Sequence, residues 1–284
     1  MSIRIIVDST TDIIEEYVEK YNIEILPLYV VIDDKEYKDK ISITTEEVYQ
    51  QMRQDKLPKT SQVDIGDSYE TIERICKDGD DAIYIGFSGR MSGTYQLINN
   101  IMEEMSEKYP ERKLEAIDSR GGSYATGLIT IQAVKMAAEG MDFDAICHRC
   151  QFLIKHVEHV FMIDDLTWMV KGGRISKTLG FISNTLNIKP ILDVDDGEME
   201  VIQKMKGKRN AMKRVADIVK ERAINCQKQI IGITHADDIE SAKEMVELLK
   251  ERLPDCVYEI TQIGAVLGVH IGIGGVGVFF FNQM

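Results

Sequence analysis

The chain has 284 residues, 44% hydrophobic and 29% charged, enough for one large or two ordinary domains with sizeable cores. Its net charge of −13 argues against nucleic-acid binding, which needs a basic face to neutralise phosphates. No run is long and apolar enough for a transmembrane helix, and five scattered cysteines suit a reducing compartment better than a disulfide framework.

Residues 3–7 are a β-branched run that reads as a strand directly at the start, which predicts no signal peptide and a cytoplasmic protein. Asp8-Ser-Thr-Thr-Asp12 supplies caps for a helix reaching residue 20. Residues 23–32 read as one buried strand, Thr44 or Thr45 caps a helix through 52, and 66–77 is helical. A strand at 81–86 leads to a helix from 93 to 108, and a strand at 114–118 to a helix over 122–140. A further helix is predicted over 143–159 and a short strand over 160–163. This alternation predicts a parallel sheet covered on both faces.

The rhythm breaks between 161 and 173, so the domains are predicted as 1–162 and 163–284. Beyond the break the pattern gives a helix at 178–186 and strands at 189–193 and 198–205, joined at Asp196-Gly197 as a hairpin. Then follow a helix at 211–225, a strand at 229–235, a helix at 239–252 and a strand at 257–262. The expected fold class is α/β with two domains: an N-terminal parallel α/β/α sandwich and a C-terminal mixed-sheet α/β domain, with a ligand between them.

The C-terminal run from Gly264 through Phe281 holds His270 among apolar residues, with Gly268 and Gly272 two positions to either side. It reads as a buried strand, a glycine-rich turn and a last strand at 276–281. Gly272-x-Gly274-x-x-Gly277 matches the dinucleotide fingerprint by letter. That fingerprint must open a helix and be followed by an acidic residue some 20 positions on, and only Val278 to Met284 remain. His270 is then either a satisfied core histidine or the polar end of a site for a mostly apolar ligand.

Other segments carry two readings each. Ser92, in Ser88-Gly-Arg-Met-Ser92-Gly-Thr94, lies where a strand end meets a helix start; it is either an N-cap or a hydroxyl donor to an anion held there. Thr60 and Ser61, with Gln62, offer hydroxyls and an amide in a loop ahead of a helix, or are plain turn residues. Arg174, after Gly172-Gly173, suits bidentate contact with a carboxylate or phosphate. Lys208 and Arg209, with Lys204, Lys206, Lys213 and Arg214, form one dense basic patch in an acidic chain. Cys147, Cys150, His156 and His159 imitate a zinc set, but all fall in one predicted helix with no turn to fold the pairs together. No metal, cofactor or catalytic set is expected, and an independent phosphotransferase or hydrolase using the cleft is the alternative reading.

In order and spacing these segments resemble the DegV family of bacterial fatty-acid-binding proteins. The segments are Asp8-Ser-Thr, Thr60-Ser-Gln62, Ser92-Gly-Thr-Tyr-Gln96, Gly172-Gly-Arg-Ile-Ser176, Lys189-Pro-Ile-Leu192, Lys206-x-Lys-Arg209, Thr234-His-Ala-Asp237 and Gly264-Ala-Val-Leu-Gly-Val-His270. The resemblance implies a fatty acid buried between two α/β domains. It implies that Thr60 or Ser61, with Ser92, holds the carboxylate, that Arg174 and His270 lie nearby, and that Arg209 and Lys208 face phosphate delivery. It implies a long-chain acid of about C14–C20, each CH₂ adding to burial, and a substrate-presenting subunit without catalysis by itself. The implied partner is a separate ATP-dependent fatty acid kinase, making an acyl phosphate for phospholipid synthesis, with transient membrane contact. Val63 and Gly89 depart from the common pattern, and Ile271 and Ile273 make the surroundings of His270 more apolar.

Overall fold

A computed structural model describes residues 2–164, 166–175 and 187–284. The helix expected at 178–186, and Ser176 of the Gly172–Ser176 motif, lie outside the described residues.

The first sheet has four parallel strands in the order β2-β1-β6-β7: β1 (Ile3–Asp8), β2 (Glu24–Leu26), β6 (Asp81–Gly86) and β7 (Leu114–Asp118). Alternation along each strand sends side chains to both faces. Ile6, Ala82 and Tyr84 pack against α3 (Ile65–Lys77) and α4 (Thr94–Lys108). Ile5, Val7, Ile83 and Ile85 pack against α5 (Tyr124–Ala138) and α6 (Phe143–Ile154), with α1 (Glu15–Tyr21) beside them.

The strand expected over 23–32 is two. Pro27 lacks the N–H that a continuous ladder needs, so β2 stops at Leu26 and β3 (Tyr29–Ile32) enters a different sheet. There β3 pairs antiparallel with β4 (Lys35–Lys38) and with β5 (Lys59–Ser61). Asp33 and Asp34 both take positive φ, 51° and 61°, and close the β3–β4 hairpin, which the sequence reading did not anticipate. Helix α2 (Thr45–Arg53) follows, with Thr44 and Glu47 forming a capping box.

The second sheet is mixed and six-stranded, in the order β10-β9-β8-β13-β11-β12. Its strands are β8 (Val157–Met162), β9 (Ile188–Asp195), β10 (Glu198–Lys206), β11 (Ile230–His235), β12 (Val257–Gln262) and β13 (Val276–Phe281). Two expectations change here. Helix α6 ends at Ile154, so His156 and His159 are off it, and β8 starts three residues before the expected strand. Because β8 pairs with β13 and β9, the chain enters the second sheet at β8. One face of this sheet buries Val160, Met162, Ile233, Val278 and Phe280 under α8 (Lys208–Arg222) and α9 (Ile239–Lys250). The other face turns toward α5, with Phe279 and Phe281 in the core that α5 shares with the first sheet.

Helix α5 is therefore covered from two sides, which explains buried residues all round it, from Tyr124 to Val134. The Tyr124 ring lies directly over Gly232: a Cβ there would sit 2.1 Å from a ring carbon. Cys226 and Cys256 are joined by a disulfide with Cα atoms 5.2 Å apart. They stand just ahead of the paired strands β11 and β12, a juxtaposition that their 30-residue separation does not reveal. This corrects the expectation drawn from the cysteine count. Cys76, Cys147 and Cys150 are free and buried. No described helix is long and apolar enough to cross a membrane.

Asp12 joins the halves. Its carboxylate accepts from Ser123 Oγ at 2.5 Å and from the Gly264 amide at 2.8 Å, and its carbonyl accepts from Thr261 Oγ1 at 3.0 Å. Burial raises the carboxyl to about 7, against the opposing effects of Lys40, Ser123 and Gly264. Between its unfolded value near 4 and its folded value near 7, rising pH strips a proton that the folded chain holds more tightly, so stability falls across that window. Asp12→Asn keeps an acceptor for the Gly264 amide and removes the titration. Its urea-unfolding free energy should gain on the wild type by about 1–3 kcal/mol between pH 5 and pH 8; a difference that stays flat would show that Asp12 does not titrate there.

Candidate functional site

A cavity of about 690 Å³ opens between the two sheets at the N-terminal end of α5, where Gly122 and Ser123 line it. This is within the usual size of a small-molecule site. The first half contributes Thr60, Ser61 and Gln62 from β5 and the residue after it, and Phe87 and Gly89–Gly93 from the turn between β6 and α4. The second half contributes Phe161, Val194, Met199 and Phe279 from its sheet, and Val266, Leu267 and His270 from a C-terminal segment.

That segment is α10 (Ala265–Ile271), a helix where a buried strand was expected. Its β-branched residues favour a strand locally and its glycine weakens a helix, but tertiary packing decides. Gly268 faces Tyr49 of α2, whose hydroxyl donates to the Ile263 carbonyl at 3.0 Å. Gly272, with φ of 80°, ends the helix. Gly277 lies inside β13 with no helix after it, so the fingerprint letters hold no dinucleotide fold.

The structure brings Thr60, Ser61, Ser92, Arg174 and His270 to this one cavity. Thr60 sits on β5, a short strand rather than the expected loop, paired opposite Val30. Its Oγ1 lies 2.8 Å from His270 Nε2. Ser92 Oγ accepts from the Thr94 amide at 3.2 Å and donates to Thr94 Oγ1 at 3.0 Å, so it serves the start of α4 while lining the cavity. Gly93 leaves room for Gln62, whose Oε1 lies 2.9 Å from where a Cβ would be. Gly172 does the same for His270, with Nδ1 2.2 Å from the Cβ position, and its carbonyl accepts from Arg174 Nη1 at 2.6 Å.

Burial lowers the His270 pKa to about 4, and the Arg174 charge adds to the shift. The ring is neutral near pH 7, and Arg174 supplies a fixed positive charge beside it. With Nε2 protonated, His270 donates to Thr60, whose own proton is then free for an anionic oxygen. Ser61, Gln62 and Gly93 are exposed, so the cavity opens to the surface at this polar end. The walls farther in are Phe87, Phe161, Met199 and Phe279.

Lys208 and Arg209 are not in the cavity. Lys208 Nζ pairs with Asp238 at 2.5 Å and donates to the Gly274 carbonyl at 3.1 Å, while exposed Arg209 lies 3.4 Å from Glu244. His235, at the end of β11, is buried and accepts from the Asp238 amide at 3.2 Å. Among the described residues no group of three or more His, Cys, Asp or Glu could hold one metal. The sequence reading missed the wall residues Phe161, Val194, Met199 and Phe279, and His159 in the same wall. Their signal is strand alternation, visible only once the correct face of each strand is known.

A family model described as an uncharacterised protein, DegV family, matches residues 2–283. The chain is 34% identical over 278 residues to a DegV domain-containing protein of Caldanaerobacter subterraneus, covering 98% of each chain. It is similar to a solved stearic acid-binding protein from Eubacterium ventriosum, with TM-score 0.90, 25% identity and coverage of 98% of this chain and 97% of that one. It is also similar to DegV from Bacillus subtilis, described as a fatty acid binding protein, with TM-score 0.86, 28% identity and 99% coverage of both.

A Cβ on Gly268 would lie 2.4 Å from the Tyr49 hydroxyl, which is buried and anchored. Gly268→Ala should therefore lower stability by about 1–3 kcal/mol through overpacking, read from chemical unfolding. An unchanged midpoint would show that α10 moves freely away from α2.

Proposed function

The chain belongs to the DegV family, and we propose that it binds a long-chain fatty acid in the cavity between its sheets, with the carboxylate at Thr60, Ser61, Ser92, Arg174 and His270. The observation that carries this reading is the make-up of the cavity: apolar walls from Phe87, Phe161, Met199 and Phe279, together with hydroxyls, a neutral imidazole and the Arg174 guanidinium, while the other lining arginine, Arg90, is paired with Asp196 and Glu198. Each buried methylene contributes about 0.8 kcal/mol before the costs of association. A carboxylate taken into such a place needs donors and a compensating charge, and the polar end holds both.

The same reading makes the chain a presenting subunit: an open polar end offers the carboxylate to a separate ATP-dependent fatty acid kinase, which would form an acyl phosphate for phospholipid synthesis. The basic patch supports this. Helix α8 begins with Lys208 and Arg209, so two cations stand at its positive end. Lys208 bonds the glycine-rich turn that directly follows the helix carrying His270. Lys204, Lys206 and Arg209 are exposed beside it, where an anionic partner or phosphate can reach them.

Gentle purification, organic extraction and mass spectrometry should return an acid of about C14–C20, the length for which methylene burial gives tight binding. A chain that neither retains nor takes up any such acid would sink the proposal. Ser92→Ala should weaken retention by roughly 1.5–3 kcal/mol, the loss of a hydrogen bond to a charged group. Arg209→Glu should leave lipid binding intact and lower acyl-phosphate formation with a kinase; ATP consumption by the pure chain with fatty acid would favour an independent enzyme.

A further inference from the structure

We propose that His159 and Val194 form the floor of the acyl cavity and set the longest chain it accepts, an inference that rests on the fatty-acid reading of that cavity. The β-ladder places both residues. Phe161 of β8 is opposite Leu192 of β9, so two residues back along β8 and two on along β9 put His159 beside Val194 on the same face. That face also carries Gly277 and Phe279, which are opposite Phe161 and His159. The polar end lies beyond the other terminus of β8, where Gly172 packs on His270. Moving inward from that end along β8 passes Phe161 and then reaches His159.

A second cavity of about 460 Å³ lies past these residues, and among the described residues only His159 and Val194 line both. It is polar: Arg222 Nη1 donates to Glu158 at 2.8 Å and to Asp193 at 2.5 Å, and Arg120 pairs with Asp196. One imidazole and one isopropyl group thus stand between an apolar tunnel and a charged pocket. The imidazole behaves as a plug. It is 4% exposed, and neither ring nitrogen has a hydrogen-bond partner among the described residues. It meets the Phe279 ring edge-to-face at 5.8 Å and presses on Gly121, where a Cβ would lie 2.2 Å from Nε2. Burial lowers its pKa to about 4, so an uncharged ring faces the chain end.

Binding of saturated acids of about 14 to 22 carbons, spanning the range in which methylene burial adds affinity, should be compared for wild type, His159→Ala and Val194→Phe. In His159→Ala, the affinity for a twenty-carbon acid relative to a sixteen-carbon one should rise about tenfold, the gain from two further buried methylene groups. Val194→Phe should shift preference the other way, toward shorter acids. Wild type that binds while both variants keep its profile overturns the floor. Wild type that binds no acid overturns the fatty-acid reading itself, and the floor with it. Should His159→Ala fail to fold by circular dichroism, Val194→Phe decides alone, and an unshifted profile overturns the proposal.

Discussion

The architecture depends on one helix that cannot face water. Helix α5 is buried on all sides over most of Tyr124 to Val134, which a single sheet could not achieve. The first sheet covers one side with Val7, Ile83 and Ile85, and the second covers the other with Phe279 and Phe281. Two sheets clamped on opposite sides of one helix stand farther apart than the roughly 10 Å of directly stacked sheets, because the helix and its side chains lie between them. Where α5 begins, at Tyr124, that spacer is missing, and the gap between the sheets becomes the cavity. The site is thus a consequence of layer packing. Gly232, which lets Tyr124 lie on the second sheet, and Asp12, which ties Ser123 to Gly264, fix the geometry at the point where the gap opens.

The polar end follows from what surrounds it. An imidazole packed on the Gly172 backbone and bonded to Thr60 cannot carry a proton cheaply, and the adjacent guanidinium disfavours it further. A neutral His270 leaves the Arg174 guanidinium as a fixed positive charge beside it, with the hydroxyls of Thr60 and Ser92 on the same cavity. The halves close over the cavity through their own contacts: Ser88 donates to the Gly197 carbonyl at 2.8 Å, and Arg90 pairs with Asp196 at 2.7 Å and Glu198 at 3.4 Å. These exposed ion pairs are worth little individually; they hold the hairpin that carries Val194 and Met199 in register with the first half.

Much of this was legible before any coordinates, for a physical reason. Parallel strands buried on two faces read as apolar runs, and the helices between them read by their caps, so the βα alternation and the mixed C-terminal half were plain. Thr60, Ser61, Ser92, Arg174 and His270 could be named from motif order, though nothing local showed that they meet. What escaped depends on tertiary context. A glycine- and valine-rich run is helical at 265–271 because Gly268 fits Tyr49 across 219 residues of chain. Cys226 and Cys256 pair because parallel strands start side by side. His159 looked like part of a helix, and only the register of β8 shows that it lines the cavity. Pro27, by contrast, was a readable break inside an apolar run, and its missing N–H was the signal to end the strand.

On the proposed fatty-acid reading, ligands are discriminated far from the group they share. Every fatty acid brings the same carboxylate, so the contacts proposed for it at Thr60, Ser92 and Arg174 would add affinity to all of them equally. Along the walls each methylene is worth about 0.8 kcal/mol, so an acid one methylene short loses only a few-fold in affinity. Excess length meets a different penalty: a methyl group driven against a close-packed floor costs about 1–3 kcal/mol in strain. Beyond His159 the alternative is a pocket of paired arginines and carboxylates that an alkyl end cannot solvate. Selection in such a tunnel is therefore asymmetric, permissive toward shorter chains and strict toward longer ones, because length is read by a wall while affinity is gathered along the way to it.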